Sequence, residues 1–189
     1  RQRELQATVD AVTANSAQIF SDERDPVVGS ADAPVTIVEF FDYRCTFCMR
    51  ANSWIQTVAE EHPEDVRIVF KEFPIRGPEA EEAALASLAV WQIAPYAYLA
   101  FHDDLMRASG PLPSERIDEI AQANGIDVAQ MRATMESEAI AEHIVDVSAL
   151  ARSVGITGTP FFIIGDEIIP GADMAAMQRA LDNALAAAG

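Results

Sequence analysis

Val35 to Phe41 reads VTIVEFF, an almost unbroken apolar, β-branched and aromatic run. A strand that is apolar on both sides must be covered on both, so it belongs in the middle of a largely parallel sheet. A helix is predicted over about residues 45–61, with Trp54, Ile55 and Val58 as its apolar stripe and His62-Pro63 as its stop. VRIVFKEF, residues 66–73, is a second strand. Strand, helix and strand over this span form a βαβ unit with a right-handed crossover.

Residues 78–153 change character and read as helical throughout. Pro78 suits a first helical turn, and Leu85, Leu88 and Ala89 share one face. Pro95 separates a helix striped by Tyr98, Phe101 and Leu105. After the loop SGPLPS, Ser114 is the expected N-cap of a helix ended by Asn124-Gly125, and Asp127 that of the next. Ile140, Ile144, Val147 and Ala151 mark a longer helix that Gly155 stops. The tail returns to strands: PFFII and EII flank Gly165-Asp166, a hairpin signal. Pro170-Gly171 closes the second strand, and Met174, Met177, Leu181 and Leu185 stripe a last helix as core residues. The order is βαβ, a helical block, then ββα. This is an α/β chain in which the two outer halves share one sheet.

Residues 1–20 read as one helix. Leu5, Val9, Val12, Ser16 and Ile19 follow a heptad-like spacing, which suits either packing on the helix's own domain or self-association. SDERDP reads as a polar linker and GSADAP as a turn. The expected division is 1–25 for the N-terminal helix and linker, 26–77 and 154–189 for the two halves, and 78–153 for the helical insertion. The chain starts at Arg1, and residues 1–20 lack the apolar core of a signal peptide, so a processed or truncated chain is expected. A formal net charge of -17 disfavours nucleic acid and anionic membrane surfaces as partners. No apolar run approaches membrane-spanning length.

Cys45 and Cys48 are the only cysteines among 189 residues. Zinc would need four ligands; His62 follows at finger-like spacing, but His102 and His143 stand far off in the helical block. A buried pair without chemistry leaves its place at a strand-to-helix junction unexplained. A redox pair explains it. The free N–H groups and positive dipole end at a helix N-terminus stabilise a Cys45 thiolate, the attacking species in disulfide exchange. Cys48, one turn on, can then resolve a mixed disulfide.

VTIVEFFDYRCTFC, the helical block and GITGTPFFIIG together resemble the DsbA-like family of thiol–disulfide oxidoreductases, a branch of the thioredoxin superfamily, over about residues 26–188. The resemblance implies a thioredoxin fold with an inserted helical subdomain. It implies a cis proline at Pro160, facing the cysteines, and a substrate strand paired with the backbone of Thr159. The compartment it implies is the periplasm or another extracytoplasmic space, after removal of a signal peptide. The partners are cysteine-containing polypeptides and a membrane or soluble redox partner, with no membrane insertion. No cofactor and no metal are expected, since a disulfide itself carries two electrons. Many strongly oxidising relatives carry Pro-His between the cysteines, whereas this chain has Thr46-Phe47. The Thr46 hydroxyl and the Arg44 charge are candidate tuners of the Cys45 sulfur, and Asp42 opposes them.

Glu39 stands mid-strand on the face of Val35, Ile37 and Phe41, where a carboxylate is costly unless paired or protonated. It is either an edge residue reaching water or a buried acid that relays the Cys48 proton; the family has an acid at this spacing. Lys71, on the neighbouring strand, is its expected partner. His62, His102 and His143 are read as surface or interface residues without a role. Three functions remain open from sequence: a dithiol oxidase, an isomerase or reductase that oligomerises through residues 1–20, and a module binding Cu(I) through two thiolates.

Overall fold

The computed structural model describes residues 1–189. The chain runs through α1 (Gln2–Ala14), α2 (Ser16–Phe20), β1 (Val27–Val28), β2 (Val35–Phe41), α3 (Thr46–Glu61) and β3 (Val66–Glu72). The helical block is α4 (Pro78–Ile93), a 3-10 turn at Pro95–Ala97, α5 (Tyr98–Arg107), α6 (Ser114–Ala123), α7 (Val128–Met135) and α8 (Glu138–Val154). The chain closes with β4 (Phe161–Ile164), β5 (Glu167–Pro170) and α9 (Met174–Ala188).

The five strands form one sheet in the order β1-β3-β2-β4-β5. β2 is central, parallel to β3 and antiparallel to β4. Its continuous apolar character follows from that position, since each face meets a separate core. Ile37, Phe41, Ile68, Phe70 and Phe162 face the larger core with Ala51, Ile55 and Val58 of α3 and Met177 and Leu181 of α9. Val38, Phe40, Val69, Phe161 and Ile163 face the smaller one with Val12, Ile19 and the α8 residues Val147, Leu150 and Val154. No helix is long and apolar enough to cross a membrane.

Two local expectations need correction. The helix expected over 1–20 is two helices, broken at Asn15, whose side chain donates back to the Ala11 carbonyl at 2.8 Å. The break turns Ile19 into the smaller core, where it is fully buried. Ser114 is the first residue of α6 rather than its cap; Pro113 holds the cap position, and no side-chain cap bond forms. Val27 and Val28, between the stretches read as linker and turn, form β1, an edge strand antiparallel to β3. Gly29 follows it at φ 99°, where a Cβ would stand 2.2 Å from the Val66 carbonyl oxygen.

Candidate active site

The turn after β2 is built around Asp42. Its buried carboxylate accepts the N–H of Arg44 at 2.6 Å, Ile75 at 2.7 Å and Arg76 at 3.0 Å. One side chain thus fastens the entry to α3 against the segment after β3. Cys45 then takes the N-cap of α3 with extended dihedrals, and its sulfur accepts the N–H of Cys48 at 3.4 Å. The Cys45 thiol reaches the Thr159 carbonyl, also at 3.4 Å. The Thr159–Pro160 peptide is cis, and the N–H of Gly171 donates to the Pro160 carbonyl at 2.8 Å, holding this loop to the end of β5. Cys45, Cys48, Thr159 and Pro160 therefore meet where the β2–α3 junction faces the start of β4.

The two sulfurs differ sharply. The Cys45 thiol falls from an ordinary 9.0 to about 5, first because the Cys48 thiol hydrogen-bonds to it, then, against the opposing effect of burial, through the Thr159 side chain, the Cys48 N–H and the charge of Arg76. Cys48 is pushed far upward, by burial first, then by its bond to Cys45 and the nearby charge of Glu39. One cysteine is a ready thiolate, and the other holds its proton.

Glu39 is 1 % exposed, and neither carboxylate oxygen has a hydrogen-bond partner. It lies across from Phe70 on one side and Phe162 on the other, in the larger core with the cysteines. The edge-residue reading is therefore wrong. Burial raises its pKa from 4.5 to about 8, and the Cys45 thiolate adds to the rise. Near neutral pH it is a carboxylic acid beside Cys48.

Lys71 is not its partner. β2 and β3 align Phe40 with Lys71, so Lys71 points to the opposite face of the sheet from Glu39. There, fully buried, it pairs with Asp25 and donates to the Gln18 carbonyl. Asp25 also bonds His143 Nε2 at 2.8 Å. The other proposed tuners divide similarly. Thr46 is exposed and makes no hydrogen bond to the Cys45 sulfur, which takes its N–H from Cys48 instead. Arg44 spends its guanidinium on the carbonyls of Ala108 at 3.5 Å and Gly110 at 2.5 Å, tying the loop after α5 to the junction. Phe47 is half exposed, with the Arg50 guanidinium 5.2 Å from its ring centre.

Sequence reasoning missed Arg76, whose charge acts on Cys45 where Arg44 was expected to. It also missed Glu72, buried with Oε1 unpartnered and its pKa raised well above the usual value, chiefly by burial. Strand alternation could have found it, since Ile68, Phe70 and Glu72 share one side of β3. Of the surface and interface readings of the histidines, burial rules out the surface one for His102 and His143. His102 Nδ1 bonds Tyr43 Oη at 2.8 Å, and burial lowers its pKa to about 3.

Residues 36–182 match the DSBA-like thioredoxin domain. The chain belongs to that family. Disulfide bond formation protein D of Bacillus subtilis is 29 % identical over 76 % of this chain and 69 % of its own length. Among solved structures, the thiol-disulfide exchange protein alpha-DsbA2 from Wolbachia pipientis superposes with a TM-score of 0.88 at 28 % identity, over 97 % of this chain and 98 % of that one. A thioredoxin-like oxidoreductase from Silicibacter pomeroyi DSS-3 gives 0.81 at 38 % identity, over 90 % and 97 %. This DsbA-like chain is thus a thiol–disulfide oxidoreductase with the thioredoxin fold that its motifs implied.

Proposed function

We propose that the chain is a dithiol oxidase of other polypeptides, with Cys45 as the exchanging sulfur and Cys48 as the resolving one. The asymmetry of the two thiols carries this reading. A substrate thiolate attacks Cys45 Sγ in the Cys45–Cys48 disulfide; that bond breaks, and Cys48 departs as a thiolate. Glu39 supplies the proton that Cys48 needs, because burial keeps this acid protonated near neutral pH. A second substrate thiolate then attacks the substrate sulfur of the mixed disulfide, and Cys45 leaves as the stable anion. The substrate loses two electrons and gains a disulfide, while the protein is left as the dithiol. Glu39 recovers its proton from solvent, aided by the new Cys45 charge, which raises its pKa.

The backbone at Thr159, with Pro160, presents the substrate strand beside Cys45. A membrane or soluble redox partner restores the disulfide, in the periplasm or another extracytoplasmic space. The test is stoichiometric oxidation of a reduced two-cysteine peptide, read by mass, alongside reactivation of scrambled ribonuclease. Rapid peptide oxidation without reactivation is expected. Strong reactivation by an oligomer that depends on residues 1–20 would reassign the chain as an isomerase.

A further inference from the structure

Helix α1 lifts away from the body of the molecule. Along its apolar stripe Val12 is 9 % exposed, Val9 37 % and Leu5 53 %. Residues three and four apart share a helix face, so this face is seated at its C-terminal end and stands progressively clear toward its start. Two cavities of about 320 and 310 Å³ lie beneath it. Val9 borders the first and Leu5 the second, and Ile168 of β5 is a wall of both. Ile156 and Phe161 give the second its remaining apolar walls, beside Thr8, Thr157 and Thr159. The Thr159 carbonyl is the one that the Cys45 thiol contacts at 3.4 Å, so this wedge, with its apolar walls, opens within one residue of the exchanging sulfur.

The sheet separates the two places. Cys45 belongs to the larger core, whereas Val12, Ile156 and Phe161 belong to the smaller one on the opposite face. In an extended chain, successive side chains point to opposite sides. A substrate segment laid along Thr159 with its cysteine toward Cys45 therefore sends the adjacent side chain toward α1. A second copy of α1 seated in the wedge would instead cover Thr159 and block exchange.

We propose that the wedge between α1 and the Gly155–Phe161 loop receives an apolar side chain of the polypeptide substrate, next in sequence to its reacting cysteine, with Leu5 and Val9 as the outer wall. This rests on the dithiol-oxidase reading and adds a substrate preference to it. The test uses the full chain and two-cysteine peptides carrying either Leu or Ser on both sides of the first cysteine. Reaction of reduced protein with oxidised glutathione, whose cysteine has no apolar side chain beside it, reports on the cysteines alone. The expected preference for the Leu peptide is on the order of 10-fold in kcat/KM, the scale of one apolar group in a pocket. Combining Leu5→Ser with Val9→Ser, both at exposed positions, should reduce it to within about twofold without changing the glutathione rate. A preference that survives the double variant, or none in the wild type, overturns the proposal. So does an oligomer that the double variant dissociates while peptide preference stays the same. If glutathione reacts but neither peptide is oxidised, the oxidase reading falls and the wedge proposal with it.

Discussion

The backbone N–H of Cys48 points at the sulfur of Cys45 from 3.4 Å. One member of the pair thereby stabilises the anion on which the other's reactivity depends, and the helix N-terminus adds to the effect.

Timed alkylation of the reduced protein should modify Cys45 with a midpoint near pH 5 and leave Cys48 untouched, as read by mass after digestion. The sign of the linkage follows. A depressed pKa contributes stability to the reduced fold that is complete above the unfolded value of 9.0 and lost as pH falls through about 5. Equilibration with glutathione should give a potential on the order of -120 to -270 mV. Equal alkylation of both thiols would remove the basis for the exchange order.

Glu39→Gln should slow peptide oxidation roughly 100-fold, the low end of what a positioned proton donor contributes. It should also change the pH dependence of stability. A raised acid pKa favours the fold fully below 4.5, and that contribution disappears as pH rises through about 8. Urea unfolding of the reduced wild type should therefore lose about 1.4 kcal/mol per pH unit across this window relative to Glu39→Gln. Parallel curves for the two proteins would mean that Glu39 is ionised in the fold.

Thr46→Ala should leave the Cys45 midpoint where it is, because the hydroxyl does not reach the sulfur. Arg76→Gln should raise the midpoint, by less than about one pH unit, since its charge is the smallest of the influences on Cys45. The reverse ranking would return the tuning role to the residues between the cysteines.

Lys71→Met should destabilise the fold by about 3–5 kcal/mol, the usual result of stranding one partner of a buried ion pair. The Cys45 alkylation midpoint should not move, since Lys71 faces the other side of the sheet. Adding Asp25→Leu should recover part of the loss. A large shift in the midpoint would mean that the two faces communicate.

The active junction was legible because its signals are local. An apolar run, a helix start and two cysteines one turn apart fix β2, α3 and the N-cap without reference to distant residues. Glu39 could be assigned to a face by counting in twos along its own strand. Its pairing with Lys71 failed because that requires the alignment between two strands, where an offset of one residue reverses the face. Asp25 was hidden differently: it sits in SDERDP, a stretch with the composition of a solvated loop, and only the folded chain shows it buried against Lys71. β1 has two residues, too few for any periodicity. Arg76 reaches Cys45 because Asp42 gathers two loops, a link made through space rather than along the chain.

The match to the family begins at residue 36, but Asp25 and the Gln18 carbonyl, which satisfy Lys71 of β3, lie before it. Excising the chain at that boundary would keep Glu39, both cysteines and the cis-proline loop. It would also strip Lys71 of both partners and of the segment that covers it, and uncover the apolar face on which Val12 and Ile19 pack. The smallest autonomous fragment of this protein is therefore larger than its recognisable domain, because the segment upstream supplies the counter-ion around which the sheet closes.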